Sequence, residues 1–367
     1  MKFTILKSKL SGYLQAVLNV TPAKPTLPIL SNIFVEALDQ KLKISATDLD
    51  ISITVNVECA IAKKGAVAVP ARILHDIIRE QPEGELTVEQ SGSRIEIKAK
   101  SGVYKIGTVA ADDFPTIPAI NLKKQTNIPS SAILSLIKRV TFAASNDETR
   151  PALNGTLWQL KNKYMAMVAT DGHRLARSSA PTVSEHDDII LPPKALNLVS
   201  KFIDGGAAEL GVVFGDTSVA FNLGDVILST RLIDGPYPNY EQVIPQSHSK
   251  TLRINREGLA TAVRRVAILS NTLTHQIKFT LGGKNLKLST TNADLGGEAE
   301  EALACDYTGE PLELGYNSLY IMEILARLDT EDVIFELESP ISAGVIYGAG
   351  TKKDDYLCLI MPLRLTD

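Results

Sequence analysis

The chain lacks most of the features that announce catalytic chemistry. Of its 367 residues only three are cysteine, Cys59, Cys305 and Cys358. They stand far apart and in no C-x-x-C pair, which excludes a disulfide framework and a cysteine zinc site. The five histidines are equally scattered, with no H-x-x-x-H spacing, so no histidine metal site is expected. No stretch approaches the ~20 apolar residues that span a bilayer. The opening MKFTILKSKL has a lysine inside its apolar part and no small-residue cleavage site, so the expected location is cytoplasmic. Positive charge is not in excess either. A net charge of −4 means that nucleic acid could be met only by a local basic face. G-x-S-x-G, H-E-x-x-H and G-x-x-x-x-G-K-[ST] are all absent, and GGKN at 282–285 reads as a hairpin turn.

What is present is a globular composition, 44% hydrophobic and 22% charged, in a length that suggests two or three domains. An internal repeat sets their number. ATDLD begins at Ala46 and ATDGH at Ala169, 123 residues later, and Phe114-Pro115 and Tyr237-Pro238 keep the same offset. A weaker third copy, STTNADLGG, brings Asn292 near the phase of Asp171. Three units of roughly 120 residues follow.

Each unit reads in one order. A first amphipathic helix is expected over 11–20, 130–140 and 255–269, where apolar residues recur at spacings of three and four. Ser130 and Ser131 after Pro129 make a plausible helix start. Strand-like alternation follows, as in KLKISATDLDISITVNV and KYMAMVATDGHRLARSSA. A second helix is expected over 71–81, 194–206 and 317–328, with Gly205 and Gly206 as terminators. A strand pair closes each unit. The stretches 119–128 and 245–252 lack apolar periodicity and read as linkers.

ATDGHRLA, residues 169–176, gathers Asp171, His173 and Arg174 and invites a hydrolytic reading. That reading needs a nucleophile or metal beside the histidine, and no motif supplies one. If Asp48, Asp171 and Asn292 occupy equivalent places, they are better read as turn formers between strands. Asp48 and Asp50 could suggest a carboxylate pair for two metals, but alternate residues at a twisted strand end are the better account.

KPTLPILSN (24–32), ATDLD, VPAR (69–72), DFP, LNGTL (153–157), ATDGHRLA, AILSN (267–271) and MPLRL (361–365) stand in the order of the bacterial DNA polymerase III beta subunit family, the sliding clamps, which the chain resembles from end to end. The resemblance implies an α+β DNA clamp fold. Three similar domains, over 1–120, 127–246 and 250–367, would each pack two helices on β-sheets, and two chains would close head to tail as a ring. It implies a processivity factor without catalytic activity, metal or cofactor. Its partners would be encircled duplex DNA, a second copy of itself, the replicative polymerase, the clamp loader, and other polymerases and repair proteins. Packing distances agree. Helices ~10 Å apart leave ~9 Å inside a circle of six, too narrow for a duplex, but ~28 Å inside a circle of twelve.

The resemblance also implies sites. A partner-peptide pocket would be lined by Arg150, Leu153, Thr170, Gly172, His173, Arg174, Leu175, Pro238, Gln242, Val243, Ile341, Leu359, Met361 and Leu363, with Arg and His at a polar rim and Gly172 allowing close backbone approach. At Gln242 the chain departs from the arginine expected in the family, which touches a charged rim contact and not the apolar pocket. DNA-facing cations would be Lys24, Arg72, Arg79, Lys138, Arg139, Lys194, Lys201, Arg264 and Arg265, and dimer contacts Tyr104, Ile268, Leu269 and Glu298. The competing readings are a hydrolase centred on Asp171 and His173, and a DNA-binding module that does not encircle its ligand.

Overall fold

The computed structural model describes all residues except 162, 204–207, 294, 295, 366 and 367. Three pairs of α-helices appear: α1 (Lys7–Leu18) and α2 (Ala71–Arg79), α3 (Ser130–Val140) and α4 (Pro193–Ile203), α5 (Arg256–Val266) and α6 (Ser318–Leu325). Each follows local chemistry. In α5 the buried face is Leu259, Ala262, Val263 and Val266, at helical spacing, and Asn255 caps its start by accepting from the Gly258 N–H at 2.9 Å. Asn317 caps α6 in the same way through Leu319.

Several expectations are corrected. The first helix begins at Lys7, not Ser11, growing directly out of the strand Lys2–Leu6. A short strand precedes the first helix of every repeat, so Thr126–Pro129 and Lys250–Asn255 occupy parts of the expected linkers. Such short segments are too brief for period-two alternation to stand out. Each repeat closes with three strands, not a pair: 85–107, 209–231 and 332–360. Gly205 and Gly206 lie outside the described residues.

The chain forms two compact units, and neither is a repeat. One comprises Met1–Ser131 with Leu198–Leu232, the other Ala132–Asn197 with Ile233–Asp367. The first unit holds a five-stranded sheet, from Ala60–Lys63 at one edge to Gly102–Gly107 at the other, and an eight-stranded sheet. The second holds a nine-stranded sheet and a four-stranded one, whose edges are Gly297–Ala304 and Leu312–Asn317. The eight- and nine-stranded sheets each fuse strands of two successive repeats. In the first unit Ile51–Glu58 pairs antiparallel with Val226–Arg231, Ile51 opposite Thr230. In the second Arg174–Pro181 pairs with Tyr356–Ile360, Arg174 opposite Ile360. Burial alternates as one solvated face requires: Ile51, Ile53, Val55 and Val57 are buried while the residues between them are not.

The two ATD turns are the same object. Thr47 Oγ1 donates to the Ile51 carbonyl and accepts from Leu49 N–H at 3.0 Å, while Asp48 Oδ1 accepts from Asp50 and Ile51. Thr170 Oγ1 donates to the Arg174 carbonyl and accepts from Gly172 N–H, while Asp171 Oδ1 accepts from His173 and Arg174. The residue between is left-handed in both, with φ 83° at Leu49 and 90° at Gly172. Asn292 departs from this pattern. It is the buried last residue of the strand Asn285–Asn292, and its amide donates to the Ser270 carbonyl.

Candidate functional site

The Asp171 turn positions a buried arginine. Arg174 is only 8% exposed, and its guanidinium donates to Asp171 Oδ2 at 3.1 Å, to the Phe142 carbonyl at 2.8 Å and to the carboxylate of Glu323. The Tyr320 ring lies 4.3 Å beneath the guanidinium carbon and the Phe142 ring 5.2 Å away. Arg174 is therefore not the polar rim residue expected of it. It is a clamp that joins the middle repeat to α6 of the third, because each of the three nitrogens of its planar fork finds an acceptor. Asp171 is spent on this arrangement, one oxygen on backbone N–H groups and the other on the arginine. A hydrolytic pair with His173 has no free carboxylate to work with.

His173 is exposed, and its carbonyl accepts from the Met361 N–H at 2.8 Å. That bond begins the C-terminal segment, which is fastened again where the Leu363 N–H donates to the Gly315 carbonyl at 2.7 Å. Gly315 has no room for a side chain, since a Cβ would lie 2.7 Å from the Leu363 carbonyl oxygen. Gly172 takes the left-handed backbone angle that favours glycine, φ 90°, and Arg150 Nη1 would lie 3.3 Å from a Cβ there.

The expected pocket residues divide into a floor and a lip. Leu175 and Leu359 are buried in a cluster with Leu157, Val168, Ile190, Tyr240 and Val345, so they support the surface and do not line it. Thr170 is buried and its hydroxyl is occupied by the turn. Leu153 and Leu363 are half-buried, and Pro238, Gln242 and Arg150 are exposed, Arg150 in an ion pair with Asp147. Ile341 is 72%, Val243 56% and Met361 40% exposed. Ile244, next to Val243, and Ala343, two residues after Ile341, pack against the buried cluster. Beside it a cleft of about 560 Å³ runs between Leu157, Gln159, Ile190 and the 235–241 loop. Burial raises the Tyr240 phenol above its ordinary range and Tyr237 further still, so both stay neutral. Tyr240 donates to Gln159 at 2.8 Å.

The remaining candidates lie elsewhere. Lys24, Arg72 and Arg264 are exposed and make no ion pair with the described residues. Arg79 is engaged by Asp76 and Glu80, Arg139 by Asp329, Lys201 by Asn19 and Arg265 by Glu301. Lys138 and Lys194 are exposed residues of α3 and α4. Ile268 is 74% exposed and not a core residue, with Leu269 half-buried beside it. Tyr104 lies half-buried on the open edge strand Gly102–Gly107, and Glu298 is exposed on the open edge strand Gly297–Ala304. Among the described residues no three His, Cys, Asp or Glu side chains gather as metal ligands, and no helix is long and apolar enough to cross a membrane. Tyr320, Glu323 and Phe142 escaped the sequence reading, since nothing local marks a residue that pairs across 149 positions.

Residues 1–118, 127–239 and 241–364 match, in order, the N-terminal, central and C-terminal domains described for the DNA polymerase III beta subunit. The chain is 32% identical to the beta sliding clamp of Escherichia coli K12 and 30% to that of Synechococcus elongatus, covering all of each. Among solved structures it resembles the DNA polymerase III subunit beta of Pseudomonas aeruginosa (TM-score 0.94, 32% identity). It equally resembles a Bartonella birtlesii sliding clamp bound to griselimycin (TM-score 0.95, 31% identity), again over the whole of both chains.

Proposed function

Because the chain belongs to the DNA polymerase III beta subunit family over its full length, we propose that it is a sliding clamp that holds a bacterial replicative polymerase on DNA. It has no catalytic activity of its own. Two copies close head to tail around duplex DNA in the cytoplasm, and partners dock by short linear segments.

One observation carries the ring. Twice within the chain, the strand after the turn of one repeat pairs with the last strand of the next repeat, at the same register. The third repeat has no such pairing among the described residues. Its corresponding strand, Gly297–Ala304, is an open edge, and so is the last strand of the first repeat, Gly102–Gly107. An unpaired edge is a template for another strand. Pairing these two edges between copies would join five strands to four and make a second nine-stranded sheet, comparable with the existing eight- and nine-stranded ones. The contact is heterologous, and it closes when two copies meet. Lys105 on one edge is paired with Glu96 of its own sheet, and Glu298 on the other makes no ion pair with the described residues, so each edge offers one charge of opposite sign to the contact. Ile268 and Leu269 supply apolar area to the same contact.

A closed ring needs little adhesion. Contacts from Lys24, Arg72, Lys138, Lys194 and Arg264 to phosphates carry no sequence information and weaken with salt, which suits sliding. Arg79, Arg139, Lys201 and Arg265, engaged within the chain, rank below Lys24, Arg72 and Arg264, which make no ion pair with the described residues. Domain boundaries at 1–120, 127–246 and 250–367 fit this scheme, with the first helices facing the DNA.

The Ile341, Val243 and Met361 surface is the docking site for the replicative polymerase, the clamp loader, other polymerases and repair proteins. Its exposed aliphatic and methionine side chains suit the leucine or phenylalanine anchors of a linear motif. The griselimycin complexes of relatives support a ligand surface on this fold. The test is to load the protein on a nicked circular duplex with a clamp loader and then linearise the circle. A sliding clamp is lost from the free ends and stays on the uncut circle, whereas equal retention on both would indicate a module that grips DNA without encircling it. A hydrolase would show turnover abolished by His173→Ala.

A further inference from the structure

We infer that the first unit carries a second peptide-docking cleft, on the Thr47–Ser52 turn, that takes a linear segment with one aliphatic anchor followed by a single acidic residue. This rests on the peptide-site reading of the Asp171 turn. The parts of the proposed peptide site recur 123 residues earlier. Leu30 stands for Leu153, each on a short 3-10 helix that begins with proline, Pro28–Ser31 and Pro151–Asn154. Thr47 stands for Thr170, Pro115 for Pro238 and Ile120 for Val243. The same sheet junction lies beneath: the Arg231 N–H donates to the Asp50 carbonyl at 2.9 Å, as the Met361 N–H does to His173 at 2.8 Å. A cleft of about 420 Å³ opens there, between the turn, the 115–120 segment and the 217–231 strands.

This copy has its own chemistry. Leu49 replaces the glycine of the other turn and keeps its left-handed backbone, φ 83°, with the side chain 46% exposed. A leucine is disfavoured in that region. Holding it there with its apolar surface in water is unhelpful to the fold and useful to an anchor side chain. Arg231, where the other site has Met361, is exposed and makes no ion pair with the described residues. It is a vacant partner for one carboxylate, and Asp50 on the same lip disfavours a second. The hydroxyls of Thr217, Ser218 and Ser229 line the opposite wall with no hydrogen bond to the described residues, ready for an extended backbone.

The probe is a random linear-peptide display library, panned on the full chain carrying Val243→Glu, which disables the other surface. Enrichment of sequences with an aliphatic residue beside Asp or Glu is expected, with binding that falls at least tenfold on Arg231→Glu. Leu49→Gly should weaken binding while leaving the melting temperature unchanged or higher, which a purely structural role for Leu49 would not do. No enrichment, enrichment without an acid, or binding indifferent to Arg231→Glu would each overturn the inference. Panning the unsubstituted chain tests the other site separately: peptides lost there on Val243→Glu but kept on Arg231→Glu uphold the first reading whatever the cleft does.

Discussion

Replacing Arg174 by alanine should cost far more than its place in an exposed-looking motif suggests. The substitution strips Asp171, whose side chain is 14% exposed, of its only charged partner among the described residues, and deprives the Phe142 carbonyl of a donor. Removing one member of a buried, hydrogen-bonded pair costs about 3–5 kcal/mol. The bond to Glu323 adds little, because that carboxylate is half exposed. The stacked Tyr320 and Phe142 rings lose a further ~1 kcal/mol of cation–π attraction. For a compact unit of roughly 200 residues each kcal/mol moves the melting temperature by about 2–4 °C, so a fall of about 8–24 °C is expected. Differential scanning calorimetry of the full chain measures it. His173→Ala on the exposed neighbour, a change of under about 0.5 kcal/mol, is the control. Arg174→Lys should recover less than half of the loss, since an ammonium cannot reproduce the fork. A shift of under ~2 °C for Arg174→Ala would refute the reasoning and return Arg174 to the solvated rim.

Ile268→Ala with Leu269→Ala should leave the chain folded but monomeric. A loss of ~2 kcal/mol per contact counts twice in a two-contact ring and weakens association about a thousandfold, and a mass measurement in solution that still finds only dimers would defeat the assignment. Gly172→Ala must hold a Cβ at φ 90° and should destabilise by about 1–2 kcal/mol in urea titration, whereas an unchanged midpoint would mean that the turn relaxes. Burial pushes the Cys358 thiol up to about 12, so at pH 8 only about one thiol in 10⁴ is ionised. Iodoacetamide should therefore leave Cys358 unmodified in the native chain and label it in urea, and equal rates in both would contradict its burial.

Much of the architecture was legible in the sequence because its causes are local. The 123-residue offset revealed the repeats, three-and-four spacing located the six helices to within a turn, and the Asp48 and Asp171 turns followed from side-chain capping of nearby N–H groups. The exposed row Val243, Ile341 and Met361 could be reached through motif resemblance alone, since nothing local separates an exposed methionine from a buried one. The brief strand Thr126–Pro129 was invisible, being shorter than the period that would betray it. Only the tertiary structure decided that Arg174 is buried, that the sheets run across repeats, and that Gly102–Gly107 and Gly297–Ala304 are edge strands. Strand pairing and ion-pair partners depend on which surfaces meet, and residues 149 positions apart carry no mark in sequence of the contact they will make.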